Sequence, residues 1–167
     1  MNFIIPFTGR SQNYSSEEVD EVIDVMRTAE TLTQGKFLIN FQSKFCEYAN
    51  VKNAFAVNNG TSALELSAQL CQFNSEDEVI IPSICWSTSL WPIIQAGLKP
   101  VFVDVNLRDY NASLEEIISK ISKKTKAILI IHVLGTSLKI DRLLKLTKKN
   151  KILIIEDTCE SLGSKFK

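Results

Sequence analysis

Long hydrophobic runs are missing from this chain: no segment of its 167 residues reaches the roughly 18 consecutive apolar residues that a membrane-spanning helix needs. Residues 1–10 lack a basic start followed by a long apolar core, so the expected location is the cytoplasm. An excess of one charge is missing as well. Nineteen basic groups balance 19 acidic ones and no long basic run occurs, which argues against nucleic acid or an anionic membrane as the main partner. Histidine is reduced to one residue, and Cys46, Cys71, Cys85 and Cys159 lie far apart with no CxxC pair. Neither a zinc site nor a disulfide framework is indicated; the expectation is no metal and four buried, reduced thiols. What is present, 45% hydrophobic and 23% charged residues, describes an ordinary soluble globular chain of about one domain.

The periodicities alternate in one order. Ser15 or Ser16 with Glu18 and Asp20 reads as a helix start, and Val19, Val22, Ile23 and Met26 mark an apolar stripe on a helix over 16–29. Phe37, Phe41, Phe45 and Tyr48 then recur every three to four residues, which predicts a second helix with an aromatic stripe expected in the core. From there strands and helices alternate: strand 53–57 with helix 62–71, strand 78–81 with helix 87–95, and strand 100–105 with helix 114–121. Strand 127–131 precedes a helix over 140–149, and 151–155 is the last strand, expected to be buried on both faces. This order predicts a single α/β domain, a mostly parallel sheet flanked by helices in three layers.

Ligands bind such sheets outside the carboxyl ends of the strands, where three loops carry useful chemistry. At Asn58, Asn59, Gly60, Thr61 and Ser62 a strand turns at a glycine directly into a helix, so free N–H groups, the positive helix end and two hydroxyls form a phosphate cradle. The plain alternative is a glycine turn with Thr61 or Ser62 as the helix cap. The loop lacks the lysine of a Walker motif and the three glycines of a dinucleotide fingerprint. The second loop sets Trp86 just before a helix, where an indole covers the face of a flat ring; taken alone, Trp86 reads as core, and Trp91 further along that helix more so. The third places Asp157 at the edge of the last strand, with Glu160 one helical step beyond. A desolvated carboxylate there calls for a bound cation, a protonated heterocycle or an arginine elsewhere in the chain. Cradle, aromatic and acid together outline a planar, phosphorylated, cationic heterocycle, a description that pyridoxal phosphate matches.

Those residues, with Gly35, the run 100–105, His132 to Gly135, Glu156 and the Leu162–Gly163 pair, resemble the DegT/DnrJ/EryC1/StrS family of pyridoxal-phosphate-dependent sugar aminotransferases of fold type I. The likeness extends over nearly the whole chain. It implies that Gly60, Thr61 and Ser62 hold the cofactor phosphate, that Trp86 stacks on the ring, that Asp157 pairs with the ring nitrogen and that Glu160 lies near the phenolic oxygen. His132 matches the family's HxxG turn, and a structural role is the expectation for it. The implied cofactor is pyridoxal 5′-phosphate or its pyridoxamine form. The implied substrates are a nucleotide-linked keto sugar and an amino donor, glutamate, in amino-sugar synthesis for polysaccharide or lipopolysaccharide.

The chain departs from the family in length. The resemblance places the Schiff-base lysine beyond the position matched by Lys167; Lys165 and Lys167 follow the Leu162–Gly163 pair and do not stand in its place, so no catalytic residue is assigned within 1–167. Residues 1–167 then correspond to part of the large domain, without its remainder and without the small domain, and leave a sheet edge exposed. Full-length relatives are expected to be homodimers. Three readings follow: a sugar aminotransferase; a pyridoxamine-dependent nucleotide-sugar 3-dehydratase, toward which Trp86, Ser87, Thr88, Pro92, Ile93, Ile94 and the HVLG turn lean; and a truncated, non-catalytic remnant.

Overall fold

The computed structural model of the chain describes residues 14–165, so the expectations for residues 1–10 and for Lys167 fall outside the described residues. The chain divides into two compact units, 1–56 and 57–167.

In the first unit, Ser15 caps helix α1 (Ser16–Thr28) through a capping box. Its hydroxyl accepts from the Glu18 N–H at 3.2 Å while its own N–H donates to the Glu18 carboxylate at 2.6 Å, satisfying two donors that the helix leaves orphaned. Helix α2 (Lys36–Ala49) ends at Asn50 in the left-handed conformation. Its aromatics do stack along one side, with Phe41 to Phe45 and Phe45 to Tyr48 ring centroids 6.1 and 6.2 Å apart. They do not form a core: neither helix has a buried residue, and Phe41 and Tyr48 are 59% and 65% exposed. The predicted strand at 53–57 is also not formed. A strand exists only through a ladder partner, and the sheet of the described residues has none for this segment. Instead the Ala56 N–H donates to the Gln42 side-chain oxygen of α2 at 2.9 Å.

The second unit runs α3 (Gly60–Leu70), β1 (Glu78–Pro82), α4 (Ser87–Gln95), β2 (Lys99–Val103), α5 (Leu114–Lys120), β3 (Thr125–Ile131), α6 (Asp141–Asn150) and β4 (Leu153–Asp157). The four strands pair in parallel in the order β2-β1-β3-β4. Successive side chains of a strand point to opposite faces, and the pleat of the two central strands sorts them into two cores. Ile80, Ile128 and Ile130 pack with Ile117 of α5 and Leu143 of α6. Val79, Ile81, Ala127 and Leu129 pack with Ile93 of α4, and Leu64 of α3 leans on the same side. The result is the predicted three-layer α/β arrangement. Each fully buried isoleucine contributes about 1.5–3 kcal/mol of apolar burial.

Strand β4 departs from its expected burial on both faces. Among the described residues it pairs with β3 alone and stands at the edge of their sheet, and Leu153 is 48% exposed. The chain leaves β1 through α4 toward β2 on one side and leaves β3 through α6 toward β4 on the other. A crevice therefore opens between the carboxyl ends of β1 and β3, which is where open α/β sheets hold ligands.

Candidate active site

A cavity of about 580 Å³ occupies this crevice, lined among others by Gly60, Thr61, Trp86, Ser89, Asp157 and Glu160. Five of the six site residues read from the sequence thus meet at one place. The sixth, Ser62, does not line the cavity.

Helix α3 delivers the cradle. Its cap is Asn59, not Thr61 or Ser62: the Asn59 carboxamide oxygen accepts the Ser62 N–H at 2.9 Å. Helix starts leave their first N–H groups without intrahelical partners; that of Ser62 is taken by the cap, and Gly60 and Thr61 line the cavity at the positive end of the helix. A Cβ on residue 60 would stand 3.4 Å from the Cys159 sulfur, an ordinary van der Waals contact between the helix start and the turn after β4.

Trp86 precedes the first residue of α4 in extended conformation and is 76% exposed, with its indole on the cavity wall. Trp91 is 54% exposed. Neither tryptophan is core, against what each alone suggested, because the two sides of α4 that they occupy are not those packed on the sheet; Ser89, Pro92 and Ile93 take that place.

Asp157 closes β4 and is half-buried. One carboxylate oxygen accepts the Ser89 hydroxyl at 3.0 Å, and the other accepts the Cys159 N–H at 3.1 Å. Among the described residues no basic side chain pairs with it, so the expected cationic partner is not an arginine of the described chain. Two thiols flank the acid. The Cys159 thiol is pushed above its ordinary value, first by its hydrogen bond to Asp157 and then by burial. Burial raises the Cys85 thiol, and the charge of Asp157 adds to it. Of the four thiols expected to be buried, Cys159 is exposed and the other three are half-buried.

Glu160 faces the cavity and also accepts the Leu134 N–H at 2.7 Å. This ties the turn after β4 to the tight helical turn Val133–Gly135 after β3, where Leu134 and Gly135 hold φ of +50° and +82°. Glycine is needed at the second of these because side chains rarely adopt that conformation. Ser164 adds a second tie, its hydroxyl donating to the Gly135 carbonyl at 2.9 Å. His132 stays off the cavity wall. Its Nδ1 accepts the Leu138 N–H at 3.2 Å and must be unprotonated, which leaves Nε2 to donate to Glu156 at 2.9 Å. Buried at 7% exposure, it fastens β3 to β4 in the structural role expected for it.

Two positions that hold parts of the site in place escaped the sequence reading. Ser89 is one: it is the third of three successive hydroxyl residues, Ser87, Thr88 and Ser89, at the start of α4, and no sequence signal sets it apart from the other two. Asn111 is the other: 1% exposed, it accepts the Val133 N–H at 3.1 Å and donates to the Thr136 carbonyl at 2.9 Å, holding the turn beside the cavity. Among the described residues no cluster of three or more His, Cys, Asp or Glu suits a metal ion, and no helix is long and apolar enough to cross a membrane.

A parallel sheet with a helix start, an indole and an acid converging at its switch point defines an α/β domain of the pyridoxal-phosphate-dependent transferase class. The chain belongs to the DegT/DnrJ/EryC1/StrS aminotransferase family, whose model matches residues 12–167. GDP-perosamine synthase of Caulobacter vibrioides is 33% identical over 150 residues, 90% of this chain and 40% of that protein. GDP-4-keto-6-deoxy-D-mannose 3-dehydratase of Yersinia pseudotuberculosis is 33% identical over 98% of this chain and 43% of that protein. The solved structure of the E. coli GDP-4-keto-6-deoxy-D-mannose 3-dehydratase with bound hydrated PLP superposes with a TM-score of 0.88 at 28% identity, covering 93% of this chain and 41% of that one. The chain thus spans about two fifths of the length of these relatives.

Proposed function

We propose that this chain forms the cofactor-holding part of an enzyme that transfers an amino group to a nucleotide-linked keto sugar using pyridoxal phosphate. The observation that carries the reading is Asp157, whose two oxygens are each held by a donor at the edge of a cavity bounded by the start of α3 and the indole of Trp86. A carboxylate has about four acceptor sites, and the Ser89 hydroxyl, the Cys159 N–H and the Cys159 thiol leave one for a ring N–H. The residues fit the group: free N–H groups of Gly60 and Thr61 suit a phosphate dianion, Trp86 a ring face, and Asp157 a protonated ring nitrogen. When bound, the cofactor withdraws electrons from the substrate carbon that loses its proton. Asp157 would pair with the protonated ring nitrogen, and Glu160, which holds the Leu134 turn, would lie near the phenolic oxygen.

On this reading residues 1–167 are part of a large domain. The full-length protein is a cytoplasmic homodimer that takes its amino group from glutamate for amino-sugar synthesis. A second reading, a pyridoxamine-dependent nucleotide-sugar 3-dehydratase, is supported by the likeness to the two dehydratases above. The two separate on the residue at the Schiff-base position of the full-length protein, lysine for the transferase and histidine for the dehydratase.

Added pyridoxal phosphate is expected to raise the melting temperature of the chain, by linkage of about 2.7 kcal/mol at a hundredfold excess over Kd. Asp157→Ala is expected to abolish the shift. An equal shift in the variant refutes the assignment of Asp157.

A further inference from the structure

We infer that Ser89 is the positioning residue that aims Asp157 and sets its distance from Trp86, an inference that rests on the reading of the cavity as a pyridoxal-phosphate site. Ser89 sits in the first turn of α4 and is 2% exposed. Its two polar groups face in different directions. The N–H donates to the carbonyl of Trp86 at 2.9 Å, and the hydroxyl donates to an oxygen of Asp157 at 3.0 Å across 68 residues of sequence. One residue therefore fastens the backbone of the indole that covers a ring to the acid that meets the ring's edge.

The geometry makes this hydroxyl the only side-chain hydrogen bond between α4 and Asp157 among the described residues. The other donors, the Cys159 N–H and thiol, lie two residues along the same turn and move with Asp157 itself. They fix how the carboxylate folds over its own backbone, not where the carboxylate stands relative to α4. The remaining titratable neighbours cannot take over that task. The Cys85 thiol is held in the protonated direction first by burial and the Cys159 thiol first by its hydrogen bond to Asp157, and Glu160 is engaged by the Leu134 N–H. Loss of the Ser89 hydroxyl thus releases the acid toward other rotamers while leaving the fold intact, since alanine is at home in a helix.

The test compares wild type, Ser89→Ala and Ser89→Thr in the whole chain. In the absence of cofactor, three-bond couplings at the Asp157 Cβ report its rotamer. One rotamer is expected in wild type and Ser89→Thr, and averaging over two or more in Ser89→Ala; a single unchanged rotamer in Ser89→Ala overturns the inference. With 15N-labelled pyridoxal phosphate added, the ring-nitrogen shift reports its protonation. Wild type and Ser89→Thr are expected to show the protonated ring and Ser89→Ala a partial loss, with the affinity falling at least roughly tenfold, as for one lost hydrogen bond to a charged group. An unprotonated ring or absence of binding in wild type sinks the cofactor reading, while the coupling data still decide whether Ser89 positions Asp157.

Discussion

The two units of this chain use apolar stripes in opposite ways. In residues 57–167 the pleat of β1 and β3 sends alternate side chains into two cores, and Ile80, Ile81, Ile128 and Ile130 are inaccessible to solvent. In residues 14–56 the stripes of α1 and α2 are as regular, yet no residue of either helix is buried. Periodicity reveals which side of an element is apolar. It does not reveal whether anything covers that side, because covering is a property of the partner surface. The same lesson holds at the sheet margin, where the apolar run before Asp157 reads as a central strand and lies at an edge.

This contrast is open to direct attack. The largest effect is expected from Ile80→Ala, which leaves a cavity in a closed core and is expected to cost about 2–5 kcal/mol of unfolding free energy, read by urea denaturation. Next comes the electrostatic link at the site. Asp157 raises the Cys159 thiol, so Asp157→Asn is expected to lower it toward its ordinary value and to enlarge the thiolate fraction at mildly alkaline pH. Alkylation of Cys159 by iodoacetamide is then expected to speed up by roughly threefold to tenfold. A slower reaction breaks the assigned link between acid and thiol. The smallest effect is expected from Phe41→Ser, which removes an exposed ring and is expected to change stability by less than about 0.5 kcal/mol. A loss comparable to that of Ile80→Ala means that the stripe of α2 is covered in solution, and the contrast between the units falls.

Much of the candidate site was legible because its parts are local. A glycine before a helix start, an aromatic before another and an acid after an apolar run each announce the end of an element, and parallel sheets gather such ends on one side. The cap of α3 was misplaced because Asn59, Thr61 and Ser62 all carry cap chemistry and only the backbone decides among them. Ser89 and Asn111 were missed for a different reason. Each acts on a residue far along the chain, 68 positions away for Ser89 and Asp157, and a contact of that span leaves no periodic trace. Segment 53–57 failed because a strand is a relation between two segments, and β-forming residues alone do not provide the second.

The order of the elements from residue 60 onward, the α/β class and the family were determined by the sequence, since these follow from local propensity, from side-chain period and from motifs written in consecutive residues. Which strand lies at the edge, which face of each helix meets solvent, and which hydroxyl holds Asp157 were decided only in the tertiary structure, since each depends on atoms that the chain brings together from distant positions.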